Sequence, residues 1–216
     1  LGVDLLWLTP IYASPQKDNG YDISDYFTIN PTYGTMEDFE KLLEESHRRG
    51  IKIIMDMVVN HTSTEHEWFQ QAASSRDNEY RDFYIWKDPV NGKEPNNWQS
   101  KFGGSAWEYH EETGQYYLHL FDLTQADLNW ENEKVREKVA EVIQFWAKKG
   151  IDGFRLDVIN LISKDQRFPN DDRGDGRKFY TDGPRIHEFL HEINQKAFAP
   201  FEMMTVGEMS STTLEN

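Results

Sequence analysis

Two charged residues stand inside an apolar run at IDGFRLDVIN, residues 151–160: Arg155 and Asp157, one residue apart among Phe154, Leu156, Val158 and Ile159. In an extended strand, positions i and i+2 share a face, so both charges project together from an otherwise buried segment. A guanidinium beside a carboxylate favours the ionised form, and an ionised carboxylate can serve as a nucleophile. A second carboxylate, Glu208, ends another apolar run in VGEM, and DMVVNH ends a third with Asp56, Asn60 and His61. Two carboxyl groups on neighbouring strands, about 5–5.5 Å apart, are the equipment of a retaining glycoside hydrolase. In that chemistry Asp157 is the nucleophile and Arg155 holds its pKa down. Glu208, with a raised pKa, protonates the leaving oxygen and later activates water. Taken singly, Arg155 and Asp157 read as a structural ion pair, Asp56 as a structural hydrogen-bonding group, His61 as a satisfied core histidine and Glu208 as a solvated carboxylate. Their common position at the ends of strands running the same way is what favours a site.

Such convergence requires parallel strands. Residues 3–8, 51–59, 151–158 and 203–206 read as buried parallel strands. MEDFEKLLEESHRRG places Phe39, Leu42 and Leu43 on one helical face and Gly50 at its stop. VREKVAEVIQFWAKKG aligns Val135, Val139, Val142, Ile143 and Trp146, and PRIHEFLHEINQKAF opens at Pro184. Strands alternating with helices predict an α/β sheet, either doubly wound or a barrel, and in a barrel the C-terminal strand ends share one mouth. Residues 61–132 are rich in Trp, Tyr, Asn, Gly and Ser, too long an excursion for a loop, and read as an inserted subdomain between 1–60 and 133–216.

A hydrophobic fraction of 38% over 216 residues is enough for a packed core. The net charge of -15 disfavours nucleic acid and anionic membrane as partners. Without cysteine there is no disulfide, and no apolar run is long enough to span a bilayer. No leader-like segment opens the chain, which suits a cytoplasmic protein, and a start without methionine suggests that the beginning is missing. NDDRGDG fails as a calcium loop, because Arg173 stands where a ligand is needed and no glutamate closes the frame. No metal or cofactor is expected.

DMVVNH, QADLN (125–129), GFRLD and VGEM, in this order and spacing, resemble the α-amylase family of glycoside hydrolases, number thirteen in the usual classification. The resemblance covers the whole chain and implies a (β/α)8 TIM barrel. Of that barrel the chain would hold about strands two to five, with the inserted subdomain after strand three. The remaining strands, a C-terminal domain and a third carboxylate would lie outside it. It also implies Asp157 as nucleophile, Glu208 as acid/base, Arg155 as a contact to the nucleophile and His61 as a contact to bound glucose. In DNGYD, Asp18 and Tyr21 match the family's glucose-gripping aspartate and stacking tyrosine. DNGYDISDY, YGTMEDF, NHTSTEHEWF and Val158 look like the exo-acting oligo-1,6-glucosidase branch. NNWQSKFGGSAW, LISKDQRFP, DGRKFYTDGPRIHEFLHEIN and MTVGEMSSTTLE are most similar to members that cleave trehalose 6-phosphate.

That resemblance implies a small sugar phosphate as substrate. The alternatives are an oligo-1,6-glucosidase or other α-glucosidase, a sucrose isomerase, or a non-catalytic sugar-binding relative. A phosphate requires local cations. Lys101 is the best candidate, with no acidic neighbour from Asn96 to Ala106. Lys164, Arg167, Arg173, Arg177 and Lys178 are interleaved with Asp165, Asp171, Asp172 and Asp175, which reads as a mixed, solvated surface.

Overall fold

The structure is a computed structural model that describes residues 2–212. In chain order its elements are β1 (Leu5–Leu8), β2 (Tyr12–Ala13), β3 (Asp25–Ile29), α1 (Met36–Arg48), β4 (Lys52–Met57), β5 (His61–Ser63), α2 (Glu67–Ser74) and β6 (Trp86–Lys87). There follow β7 (Trp107–His110), β8 (Gln115–Leu118), β9 (Gln125–Asp127), α3 (Glu133–Lys148), β10 (Gly153–Leu156), α4 (Arg177–Tyr180), α5 (Ile186–Ile193) and β11 (Met204–Gly207). The principal sheet is β1-β4-β10-β11, all parallel, and among the described residues it does not close on itself. All four strands anticipated from the apolar runs are present, three of them trimmed at their ends and the last shifted by one residue to Met204–Gly207.

Local signals explain the helices. Thr35 accepts from the Asp38 N–H while the Asp38 side chain returns to the Thr35 backbone, a reciprocal cap, and Glu37 and Asp38 complement the positive end of α1. Asn132 caps α3 by accepting from Lys134 N–H. The α3 stripe of Val135, Val139, Val142, Ile143 and Trp146 is buried against the sheet as its spacing predicts. Two helical expectations need correction. Leu42 is 42% exposed, because the buried face of α1 runs through Phe39, Leu43 and Ser46, and position 42 lies off that line. Pro184 stands before the cap residue Arg185 and not in the first turn of α5.

Between β4 and α3 the chain changes character. β5 pairs antiparallel with β9, joining His61 to Asp127, while β6, β8 and β7 form a separate antiparallel sheet. The main core packs the parallel sheet against α1, α3 and α5. A second core gathers Ile85, Trp98, Trp107, Leu118, Leu120, Val158, Leu161, Phe168 and Tyr180. On the strands at the sheet edges, Leu6, Trp7, Met204 and Val206 are each more than a third exposed. No helix among the described residues is long and apolar enough to cross a membrane.

Gly153 opens β10 where it pairs with Met204 of β11, and a Cβ there would stand 2.1 Å from the Met204 carbonyl oxygen. The obstacle is backbone, so only strand displacement could relieve it. Gly153→Ala is expected to destabilise the protein by about 1–3 kcal/mol, measured by denaturant unfolding. An unchanged midpoint would contradict the close approach.

Candidate active site

The sheet register determines which charges meet. Arg155 on β10 stands opposite Asp56 on β4 on one side and Val206 on β11 on the other. The guanidinium Nη1 donates to Asp56 Oδ1 at 3.0 Å and to Asp157 Oδ1 at 2.5 Å, while Nη2 pairs with Glu208 Oε2 at 2.7 Å. Carboxylates from three adjacent strand ends thus share one cation. Asp157 and Glu208 are thereby held on the two terminal nitrogens of one guanidinium. The Glu208 Oε2 also accepts from the Val158 backbone N–H at 3.2 Å. Asp56, which the sequence suggested as a structural hydrogen-bonding group, is fully buried and joins both this ion cluster and Tyr21.

The electrostatics reverse one expectation. Arg155 pulls the Asp157 pKa down, but burial, followed by the negative charge of Asp56, outweighs it and pushes Asp157 up to about 8. The one positive charge, shared with Asp56, does not offset the burial of Asp157. Asp56 is raised by burial against the opposing pull of Arg155. Burial also works against the charge on Arg155, yet hydrogen bonds and charges from Asp56 and Asp157 raise its pKa.

Val158, directly after Asp157, has φ 37 and ψ 40, a left-handed conformation that is strained for a β-branched residue. The bend turns Val158 into the second core while Leu156 remains in the main one. It also aims the Val158 N–H at Glu208.

Asp18, Tyr21 and His61 belong to the same hydrogen-bonded neighbourhood. Tyr21 Oη donates to Asp56 Oδ2 at 3.1 Å, and its carbonyl lies 3.2 Å from His61 Nε2. Gln125 Nε2 donates to Asp18 Oδ2 at 2.8 Å. His61 is buried, and burial lowers its pKa, which favours neutral imidazole. Its tautomer follows from its neighbours. Asp127 Oδ2 can only accept from Asn60 Nδ2, at 3.1 Å, and the same amide nitrogen faces His61 Nδ1 at 3.2 Å. Nδ1 as acceptor with Nε2–H donating to the Tyr21 carbonyl satisfies these two contacts, and the Gln125 Nε2 amide stands 3.3 Å from the same Nε2.

Lys164 completes this arrangement and corrects its assignment to a solvated loop. Its side chain is 1% exposed, paired with the fully buried Asp127 at 3.0 Å, and donates to Asn60 Oδ1 and the Leu161 carbonyl. Sequence reasoning recognised QADLN without a role for Asp127. The overlooked signal was a lysine directly following the apolar run VINLIS. The other loop cations conform to the solvated reading: Arg167 pairs with Asp165, Arg177 with Asp175 and Lys178 with Asp171, and Arg173 is exposed. Lys101 is half-buried, and its Nζ donates to Ser210 Oγ at 2.9 Å and Ser211 Oγ at 2.8 Å.

The family profile described as alpha amylase, catalytic domain, matches residues 1–216. The trehalose-6-phosphate hydrolase of Bacillus subtilis (strain 168) is 70% identical over 217 residues, covering 100% of this chain and 39% of that protein. The oligo-1,6-glucosidase of Parageobacillus thermoglucosidasius is 57% identical, covering 99% of this chain and 39% of its own length. The crystal structure of Bacillus licheniformis trehalose-6-phosphate hydrolase superposes with a TM-score of 0.96 at 72% identity, over 98% of this chain and 38% of that one. The chain thus spans about 39% of the length of the curated relatives it matches.

Two outcomes follow from the charge arrangement. Lys164→Met strands a buried carboxylate at Asp127 and should cost about 3–5 kcal/mol of stability, whereas Lys164→Met with Asp127→Asn should recover part of it. Thermal unfolding of both variants measures this, and equal losses would show that Asp127 does not depend on the lysine. The Asp157 carboxyl, raised from its ordinary range to about 8, binds a proton more tightly in the folded state. Its contribution is therefore complete below the unfolded pKa, about 4, and is lost as pH rises through 8. Asp157→Asn should accordingly stabilise the protein more at pH 8 than at pH 4, by on the order of a few kcal/mol. A stability difference that does not change with pH would contradict the raised pKa.

Proposed function

The chain belongs to the α-amylase family, a family of TIM-barrel glycosidases, and from that premise we propose that the whole protein is a retaining α-glucosidase cleaving trehalose 6-phosphate into glucose and glucose 6-phosphate. One observation carries the reaction class: Asp157 and Glu208, from adjacent parallel strands, are held on the two terminal nitrogens of one guanidinium. The substrate rests on 70% identity to the Bacillus subtilis hydrolase. In this reading the parallel strands are strands two to five of the barrel. Residues 61–132 are the subdomain inserted after strand three, between barrel portions 1–60 and 133–216, the last of which includes residues 213–216 outside the described ones. A phosphorylated disaccharide also fits a cytoplasmic enzyme.

Asp157 is the nucleophile. With Oδ1 engaged by Arg155, Oδ2 attacks the anomeric carbon as the bond to the glycosidic oxygen breaks. Glu208 delivers its proton to that oxygen and glucose 6-phosphate leaves. Glu208, now ionised, takes a proton from water, whose oxygen displaces Asp157 and releases glucose. The site holds Asp157 in a crowd of negative charge, so its proton must depart before attack. Positive charge developing on the sugar ring favours the ionised form. Asp18, His61 and Arg155 grip the glucosyl unit and the nucleophile, and Tyr21 presents its ring to the sugar's apolar face.

The test compares hydrolysis of trehalose 6-phosphate, trehalose and isomaltose by the complete protein. Cleavage of the phosphorylated sugar at least tenfold more efficiently is expected, and a preference for isomaltose would make the protein an oligo-1,6-glucosidase. Asp157→Asn should abolish turnover while substrate binding persists. Glu208→Gln should spare glycosylation by an aryl glucoside with a good leaving group, which needs little protonation. Equal loss on aryl glucoside and disaccharide would remove Glu208 from the acid role.

A further inference from the structure

β10 and β11 pair in register only as far as Leu156 and Gly207. The proposed nucleophile and the proposed acid are the next residues of the two chains, and both stand where the sheet has ended. On the β10 side the backbone then turns left-handed at Val158, a bend that breaks regular pairing. Contacts nevertheless continue from every second residue of that chain. The Leu156 carbonyl accepts from the Glu208 N–H at 2.9 Å, the Val158 N–H donates to Glu208 Oε2 at 3.2 Å, and the Asn160 side chain meets Ser210. Only the first of these is a backbone bond of the parallel kind. In the last, a side-chain amide takes the place of a strand: Asn160 Oδ1 accepts from the Ser210 N–H at 3.0 Å, and its Nδ2 donates to the Ser210 carbonyl at 2.9 Å.

Asn160 is fully buried and is itself held from behind. Its backbone carbonyl accepts from the Asp182 N–H at 3.0 Å, and its Nδ2 lies 3.2 Å from Asp182 Oδ1. A carboxylate can only accept, so the amide nitrogen faces Asp182 and the amide oxygen is left for the Ser210 N–H. Thr212 Oγ1, 3.2 Å from the same nitrogen, extends the hold further along the loop. Glu208 is less constrained by its own contacts. Its side chain is 44% exposed and rests on one guanidinium and one backbone N–H. A general acid must stay within hydrogen-bond reach of the oxygen it protonates, which demands a rigid mount.

We propose that Asn160 is the positioning residue for Glu208. By clamping Ser210, two residues beyond the acid, it fixes the loop on which Glu208 stands. Because Asn160 also lies three residues after Asp157, the clamp ties acid and nucleophile to each other past the end of the sheet. Asn160 touches neither the substrate nor the reacting atoms in this role. The assignment rests on the reading of Glu208 as the acid/base.

The complete enzyme carrying Asn160→Ala tests it, with two substrates. One is p-nitrophenyl α-glucoside, whose leaving group needs little protonation. The other is whichever of trehalose 6-phosphate, trehalose and isomaltose the wild type cleaves best, so the result does not depend on the identity of the disaccharide. Asn160→Ala should lower kcat/KM roughly 10- to 100-fold for the disaccharide and no more than about 3-fold for the aryl glucoside. Azide, a nucleophile that needs no general base, should raise the kcat of this variant on the aryl glucoside and leave the wild type unchanged. Asn160→Asp has nearly the same shape but turns a carboxylate towards the Ser210 carbonyl and Asp182. It should give the same split, and it carries the test if Asn160→Ala does not fold. Equal losses on both substrates, no loss, or no response to azide would overturn the assignment and leave Asn160 as a support for its loop. Glu208→Gln is the control: if it shows the split and the Asn160 variants do not, the positioning role alone fails. If Glu208→Gln shows no split either, the acid assignment fails and the positioning role falls with it.

Discussion

One guanidinium holds the ends of three parallel strands together. Arg155 reaches Asp56 on the preceding strand of the sheet, Asp157 at the end of its own strand and Glu208 beyond the next. A cation in this place orients the carboxylates without satisfying all of their charge. Burial, and after it the negative charge of Asp56, is the cause of the high Asp157 pKa. Function and stability oppose each other here. A better-neutralised cluster would be more stable, whereas this one leaves Asp157 poised to hold a proton.

A second buried charge performs a different task. Lys164 and Asp127 are both almost fully inaccessible, and Asn60 lies between them with its amide orientation dictated by both. That orientation passes to the ring of His61 and from there to the carbonyl of Tyr21. The pair thus ties the antiparallel β5–β9 ribbon to the loop after β10, and its effect reaches His61 and Tyr21. Its value is positional, since desolvation offsets much of the attraction between two buried ions.

The elements were legible where one face of one segment decides the outcome. Strand parity put Arg155 and Asp157 together, and the α3 stripe identified its buried face. What could not be read depended on partners far along the chain. Burial of Asp157 by the folded chain, and then the register that sets Asp56 opposite Arg155, decide the sign of its shift, which its immediate neighbour alone does not reveal. Lys164 looked like another loop cation because its partner, Asp127, comes from the antiparallel ribbon. Lys101 stood out by the lack of acidic residues around it, but its serine contacts lie on the loop after β11 and were invisible from its own segment.

The left-handed bend at Val158 ties the end of β10 to packing contributed from elsewhere in the chain. A valine in this conformation costs on the order of 1–3 kcal/mol, and the compensation is burial among Trp98, Leu118 and Tyr180 of the second core. Those partners come from the excursion between β4 and α3 and from the segment after the nucleophile. Their packing holds the bend together with the hydrogen bonds from the Val158 N–H to Glu208 and from the Leu161 N–H to the Val158 carbonyl. The orientation of the segment after β10 thus depends on side chains from the inserted excursion as well as on the parallel sheet.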